Sequence, residues 1–105
     1  MNNEDNIGEC PACRHKDKPR SGEQLRSLKN RINRINGQLG GISNMLDDNR
    51  YCGDILLQLA AVQSAVRSLS CEILRDHMET CVADEIKQGN TEIINETMEL
   101  IKKLR

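Results

Sequence analysis

Aromatic side chains are almost absent from this 105-residue chain, which contains one Tyr and neither Phe nor Trp. Any hydrophobic core must therefore be aliphatic. Proline is also scarce and occurs only at Pro11 and Pro19, so no later residue forces a helix to break. Apolar residues recur at helical spacing in the remainder, which predicts an all-α protein. At this length the chain forms one domain at most.

Long hydrophobic runs are also missing. No apolar stretch approaches the ~20 residues that a bilayer-spanning helix needs, and the N-terminal MNNEDNIGEC lacks the basic-then-apolar pattern of a secretory signal. These features predict a cytoplasmic protein without a membrane partner. In a reducing compartment, the five cysteines are more typical of metal ligands or buried thiols than of disulfides.

A flexible N-terminal tail is predicted for residues 1–20, which are polar and contain both prolines. The helical domain then occupies residues 21–105, with Ser21 capping a first helix that closes at residues 47–49. Apolar residues of this helix follow alternating steps of three and four, the pattern of a packed seam. They are Leu25, Leu28, Ile32, Ile35, Leu39, Ile42 and Leu46. Glycines 37, 40 and 41 interrupt the seam and permit either a bend or the close approach of another helix.

The second helix is predicted to begin between residues 51 and 54 and to end near residue 87, before the stop signal of Gly89. Its seam consists of Ile55, Leu59, Val62, Val66, Leu69 and Ile73. Asn90 or Thr91 caps a third helix that ends near residue 103. Because a second helix of about 50 Å is too long for two shorter helices to cover, oligomerisation is expected.

Three potential soft-metal ligands lie at the two ends of the second helix. Cys52 is at its start, whereas His77 and Cys81 are four residues apart near its end and share one helix face. In a straight helix Cys52 and His77 are about 38 Å apart, far beyond the ~2 Å that joins a ligand to a metal. Two such helices packed antiparallel bring Cys52 of one chain to His77 and Cys81 of another. The sequence therefore predicts a metal site between subunits, although each residue taken alone is also typical of a helix core.

Two thiolates and one imidazole form a soft, low-coordinate donor set that favours Cu(I), since Zn(II) usually takes a fourth ligand. Nickel or cobalt needs more nitrogen or oxygen donors, of which His15 in the tail is a potential source. Glu96 on the third helix is predicted to accept a hydrogen bond from the free ring nitrogen of His77. Tyr51, beside Cys52, is predicted to touch the same network.

Three further cysteines have weaker patterns. Cys71 is off the face shared by His77 and Cys81, so we interpret it as a core or spare thiol. Cys10 and Cys13 form a single CxxC pair, which is compatible with half a zinc site, with copper capture or with a disordered segment. A thioredoxin-like role needs a βαβ context, which this chain lacks.

Positive charge is concentrated in residues 14–34, which carry eight basic and two acidic side chains for a net charge of +6. Residues 35–105 carry seven basic and eleven acidic side chains, a net charge of −4. Such a basic block is either a phosphate-binding surface or a solvated helix surface, and charge alone does not decide between them.

The run NRINRINGQLGGISNMLDDNRYCGDILLQLAAVQSAV and the later LRDHMETCVADEIKQG resemble the copper-sensing operon repressors of the CsoR/RcnR family. The likeness covers nearly all of residues 25–103, and the motif pair RYC and DHxxxCV is typical of the copper-sensing branch. It implies a three-helix protomer, an antiparallel four-helix-bundle dimer and a tetramer made of two dimers. It also implies that Cu(I) is bound by Cys52 of one subunit with His77 and Cys81 of its partner. Tyr51 and Glu96 would then lie in the outer shell.

The first helix departs from many copper sensors, which have Lys, Glu and Arg where this chain has Asn33, Asn36 and Gly40. The segment RINRINGQLGG is closer to the persulfide-sensing branch, which pairs two cysteines without the histidine. His77 favours copper, while sulfur chemistry between Cys52 and Cys81 stays an alternative.

The resemblance implies a metal-free tetramer that binds operator DNA and is released by Cu(I), so that copper-resistance genes are expressed. Phosphate contacts are then expected from basic residues of the first helix. These are Arg26, Lys29, Arg31 and Arg34. Two other classes of protein stay open: a cytoplasmic copper buffer without a DNA role, and a thiol oxidoreductase. The enzyme is disfavoured because the chain offers no acid/base pair beyond the metal ligands.

Overall fold

A computed structural model describes residues 15, 16 and 18–104 of the chain. The elements are α1 (Gly22–Asp47), α2 (Cys52–His77), a π-helical turn (Met78–Val82), α3 (Ala83–Lys87) and α4 (Glu92–Lys103). The backbone stays in the right-handed helical region at both junctions of the π-helical turn. Residues Cys52–Lys87 therefore form one continuous helical rod. With no strand in the described residues, the predicted three-helix, all-α protomer is confirmed.

The helix ends lie close to their predicted positions. Ser21 Oγ accepts a hydrogen bond from the Gln24 amide at 3.0 Å, so the predicted cap of α1 is present. Asn49 (φ +52°) follows α1 and Gly89 (φ +89°) follows the helical rod, both in the left-handed conformation that ends helices. Thr91 occupies the N-cap position of α4, but its side chain makes no capping hydrogen bond.

Gly37, Gly40 and Gly41 of α1 have no close neighbour among the described residues of the chain. α1 runs without interruption over Gly22–Asp47. A Cβ atom built at Gly37, Gly40 or Gly41 would meet nothing within 4 Å. The close approach of another helix, one of the two roles predicted for these glycines, is therefore not made by the described residues of one protomer.

The core between α1 and α2 is small. Its buried residues are Ile35 and Ile42 of α1 and Val62 of α2, with Ile55 and Leu69 partly buried against them. No side chain among the described residues is fully buried. A helical pair of this size therefore leaves much of its apolar surface uncovered.

Part of the uncovered apolar surface follows a heptad pattern. On α1, one set of positions seven residues apart is 43–60% exposed and consists of Leu25, Ile32, Leu39 and Leu46. On α2, the corresponding set is 37–44% exposed and consists of Leu59, Val66 and Ile73. Each predicted seam thus has one row that packs inside the protomer and one that faces outward, as expected for helices that pack further in an oligomer.

Helix α4 folds back and packs against the π-helical turn. Its buried residues are Ile93 and Thr97, while Val82 is the buried residue of the turn. This packing positions α4 beside the C-terminal end of α2. Among the described residues, no helix is both long enough and apolar enough to cross a membrane.

Candidate metal centre

The candidate ligands lie at opposite ends of an unbroken α-helix. α2 begins with Cys52 and ends with His77 after 26 residues, so its ends are about 38 Å apart. Cys52 is exposed, and Cys81 in the π-helical turn is partly exposed. Within the described part of one chain, no group of three His, Cys, Asp or Glu side chains is close enough to hold a metal ion. A site that contains all three predicted ligands must therefore draw on two chains.

His77 and Cys81 are brought together. Both line a largely apolar cavity of about 560 Å³ with Ile73 and Leu100. Both also line a second, more polar cavity of about 480 Å³, which includes His15 and Glu96. An imidazole and a thiol that share two adjoining cavities can approach the same ion once a further ligand arrives.

The π-helical turn, which follows His77 and contains Cys81, was not predicted. Thr80 Oγ1 donates a hydrogen bond to the Asp76 carbonyl oxygen at 2.8 Å. That carbonyl would accept the Thr80 amide in a regular α-helix, so the hydroxyl competes with the backbone. Single π-helical turns inside α-helices are frequent at functional sites, and here one carries Cys81.

The imidazole of His77 contacts α4 through Thr97. Thr97 Oγ1 lies 3.4 Å from His77 Nε2, and Thr97 is only 3% exposed. The predicted outer partner, Glu96, lines the polar cavity with His77, and its hydrogen bond to the ring stays a prediction. Sequence analysis missed Thr97, although a hydroxyl within the apolar face of α4 was a signal for a buried polar contact.

A charged cluster surrounds the same helix end. Asp76, which is 8% exposed, lies 3.2 Å from Lys16 Nζ and 3.6 Å from Arg20 Nη2 through Oδ2. Gln24 Nε2 donates to its other oxygen at 3.4 Å. Burial raises the pKa of Asp76, but the contacts of Lys16 and Gln24 and the charges of Lys16 and Arg20 outweigh it, so the pKa lies below its ordinary value. The described part of the predicted tail thus contacts α2, while Cys10 and Cys13 lie outside the described residues.

Replacing Asp76 with Asn is expected to destabilise the metal-free protein by about 1–3 kcal/mol, because Lys16 and Arg20 would lose the carboxylate that their charges face. Thermal or denaturant unfolding measures this loss. Glu99→Gln is the matched control, since Glu99 pairs with Lys102 at 3.0 Å but is 68% exposed. That exposed pair should contribute about 0.5 kcal/mol or less. Equal effects of the two substitutions would contradict a structural role for the cluster.

Two other predicted positions lie on the surface of the protomer. Tyr51 immediately precedes α2 and is 75% exposed. Its ring lies over Gly53, where an added Cβ would be 2.5 Å from a ring carbon. Cys71 is also exposed. It is therefore a surface thiol and not part of the protomer core.

The basic residues of α1 differ in their solvent exposure. Arg26, Lys29 and Arg34 are exposed, whereas Arg31 is half-buried. Arg31 Nη2 donates to Ser68 Oγ on α2 at 2.5 Å. Arg31 and Arg34 both line a cavity of about 280 Å³ between α1 and α2. Two guanidinium groups therefore lie together at this groove.

The metal-sensitive transcriptional repressor family has a sequence profile that matches residues 24–103. That range includes the helical rod, all three candidate ligands and α4. The chain belongs to this family.

Two curated relatives of this chain are copper-sensing repressors. The copper-sensing transcriptional repressor CsoR of Bacillus subtilis (strain 168) is 44% identical over 85 residues, which cover 80% of this chain and 84% of that protein. The copper-sensing repressor RicR of Mycobacterium tuberculosis (strain ATCC 25618 / H37Rv) is 36% identical over 64% of this chain and 70% of its own length.

Solved structures support the same fold. The crystal structure of CsoR with Cu(I) from Geobacillus thermodenitrificans NG80-2 has a TM-score of 0.77 at 40% identity, covering 82% of this chain and 91% of that one. The nickel-responsive transcriptional regulator InrS has a TM-score of 0.68 at 36% identity, covering 82% of this chain and 98% of its own. The chain therefore shares its fold with a Cu(I)-bound copper-sensing repressor and with a nickel-responsive regulator.

Proposed function

We propose that this chain is a Cu(I)-responsive transcriptional repressor whose metal site forms between two subunits. Cys52 of one subunit would join His77 and Cys81 of its partner. The metal-free oligomer would bind operator DNA, and copper would cause its release, so that copper-resistance genes are expressed. The relatives named as copper-sensing repressors support this assignment. A repressor acts where the chromosome is, so we place the protein in the cytoplasm.

The observation that carries the proposal is the position of Cys52 in the outward-facing row of α2. Cys52 precedes Leu59, Val66 and Ile73 at the same interval of seven residues, and all four are exposed. Antiparallel pairing of two such rows about Val66 would align position 52 with position 80 of the partner, because both lie 14 residues from Val66. Packing that covers the apolar row therefore also delivers Cys52 to the π-helical turn of the other chain.

The donor set fits Cu(I). Two thiolates and one imidazole are soft donors and provide only three ligands. Such a set suits a low-coordinate monovalent ion better than Zn(II). Because His77 Nε2 contacts Thr97 at 3.4 Å, Nδ1 is the ring nitrogen left to bind a metal, and Thr97 holds the ring orientation. When bound, Cu(I) would supply a bond that ties the start of α2 in one subunit to the end of α2 in the other.

Tyr51 and Glu96 remain proposed outer groups of this centre. Tyr51 adjoins Cys52 and would reach the site from the subunit that supplies the thiol. Glu96 lines the polar cavity with His77 and Cys81, which supports the proposal that it reaches the site from α4. Both roles depend on how two protomers meet.

Oligomerisation follows from the uncovered rows of α1 and α2. We propose that two hairpins of α1 and α2 pair as an antiparallel four-helix bundle and that two such dimers form a tetramer. The outward rows, Leu25 to Leu46 and Leu59 to Ile73, are 37–60% exposed in one protomer. Burying them supplies the hydrophobic contribution that the small protomer core lacks.

DNA binding is assigned to the basic surface of α1. Arg26, Lys29 and Arg34 are exposed, and the arginine groove of Arg31 and Arg34 offers two guanidinium groups for phosphate oxygens. Tying α2 to the partner's α2 would shift helices at this groove, since Arg31 is hydrogen-bonded to Ser68 of α2. Metal binding and DNA binding would then oppose each other by equal free energies.

The test is a DNA-binding experiment with the full chain. A random double-stranded library is selected with the metal-free protein, and the affinity for the selected duplex is compared with that for a shuffled duplex. We expect preference for the selected duplex and a loss of affinity of about 5- to 150-fold when Cu(I) is added. In the same assay, Arg31→Gln and Arg34→Gln should each reduce the slope of log K against log salt by about 0.9.

The alternatives give different results in this assay. A copper buffer would bind Cu(I) without preferring any DNA sequence. A persulfide sensor would release DNA after treatment with a sulfane-sulfur donor and not with Cu(I). Either result would contradict the proposed function.

A further inference from the structure

One described residue of the N-terminal tail, Lys16, contacts a candidate metal ligand. Its Nζ lies 2.6 Å from Thr80 Oγ1, 3.2 Å from Asp76 Oδ2 and 3.7 Å from Cys81 Sγ. An ammonium group has three donors and no acceptor, which matches these three acceptors in number. The Lys16 side chain is only 15% exposed. The contact is therefore a specific, largely desolvated one.

The charge of the proposed centre requires a nearby cation. Two thiolates and one Cu(I) carry one net negative charge. Uncompensated charge in a partly buried site is unfavourable. Lys16, Arg20 and Asp76 together carry one net positive charge and lie beside Cys81, on the edge of the apolar cavity.

We infer that Lys16 is the outer-shell cation of the metal centre, donated by the N-terminal tail to the Cys81 sulfur. This inference rests on the proposed function. Lys16 acts through Cys81 and does not bind the metal itself, so it is a positioning residue. Asp76 and Thr80 hold its ammonium, and the N–H donor to sulfur stabilises a metal-bound thiolate, as charge-assisted hydrogen bonds do for anions. The tail thereby contributes to copper affinity without supplying a ligand.

An alternative hypothesis gives the contact between Lys16 and Cys81 the opposite effect on Cu(I) affinity. If Lys16 competed with the metal for the sulfur, removing its charge would tighten copper binding. If it compensates the charge of the site, removing it weakens copper binding. The sign of the change in affinity therefore decides the role.

The experiment measures Cu(I) affinity of the full-length protein by competition with a chromophoric Cu(I) chelator. Lys16→Met is expected to weaken binding about tenfold, the lower end of the range for outer-shell partners of metal ligands. Lys16→Arg should restore most of the affinity, because it retains the charge and the donors. Lys18→Met is the matched control, since it removes the same charge from a tail residue that pairs with Asp84 and is 65% exposed. Its affinity should stay within about twofold of the parent protein.

Two metal-free measurements keep the result interpretable. Thermal unfolding and oligomeric state of each variant show whether it is folded. Equal affinities of the Lys16→Met and Lys18→Met proteins would overturn the inference, as would tighter binding by Lys16→Met. If the parent protein binds no Cu(I), the proposed function fails and this inference with it. If the parent binds Cu(I) and Lys16→Met binds equally well, only the inference about Lys16 fails.

Discussion

Copper should no longer weaken operator binding once Cys52 is replaced by Ala. Cys52 is exposed at the first position of α2, so losing its sulfur removes a ligand without opening a cavity. The expected result is a folded oligomer that binds the selected duplex with unchanged affinity. The loss of affinity of about 5- to 150-fold on adding Cu(I), which corresponds to a coupling of roughly 1–3 kcal/mol, disappears. Fluorescence anisotropy with labelled duplex measures both quantities.

Cys71→Ala is the matched control for this experiment. Cys71 is an exposed thiol on the same helix, so its removal tests whether any surface sulfur suffices. The copper response of Cys71→Ala should equal that of the parent protein. A retained response in Cys52→Ala, or a lost response in Cys71→Ala, would refute the ligand assignment. X-ray absorption of the copper-loaded parent should show two sulfur neighbours and one nitrogen.

The helical framework could be predicted because its signals are local. Ser21, Asn49 and Gly89 end or begin helices through their own backbone and side-chain chemistry, and they do so in the structure. The absence of proline after position 19 predicted an unbroken α2, which the structure contains. The distance between Cys52 and His77 follows from helix length alone, so a two-chain site could be predicted without knowledge of any tertiary contact.

The surroundings of the ligands could not be predicted in the same way. Lys16 contacts Thr80 and Cys81 across 64 and 65 residues of sequence, and no periodicity relates them. Thr97 reaches His77 only because α4 folds back onto the π-helical turn. Within the turn, the Thr80 hydroxyl donates to the Asp76 carbonyl, the acceptor that the Thr80 amide would use in a regular α-helix. Such contacts depend on how elements pack, and a single sequence carries little information about packing.

The outward-facing rows of α1 and α2 could be predicted only in part from the sequence. The sequence pattern predicted one seam on each helix. In the structure, only alternate members of each seam pack inside the protomer. Val62 is 8% exposed, whereas Val66, one turn further along, is 44% exposed. Because Cys52 belongs to the exposed row, burial of that row in the proposed dimer and formation of the proposed metal site would favour the same antiparallel arrangement.

Mixing two inactive variants should restore copper binding. Cys52→Ala and Cys81→Ala homodimers each lack a ligand at every site. A mixed dimer, however, has one complete site, formed by Cys52 of the Cys81→Ala chain with His77 and Cys81 of the Cys52→Ala chain. Random pairing after joint unfolding and refolding gives mixed dimers in about half of cases, so tight Cu(I) binding should recover to about a quarter of the parent level.

The control mixture pairs His77→Ala with Cys81→Ala, whose substitutions lie at the same end of α2. In that mixed dimer each site still lacks one ligand, so its tight copper binding should stay at the level of the two homodimers. Recovery in the first mixture and not in the second requires ligands from two chains, because a site within one chain cannot be completed by any partner. Equal results from the two mixtures would contradict a site built from two chains, which the 26 residues of unbroken α2 from Cys52 to His77 require.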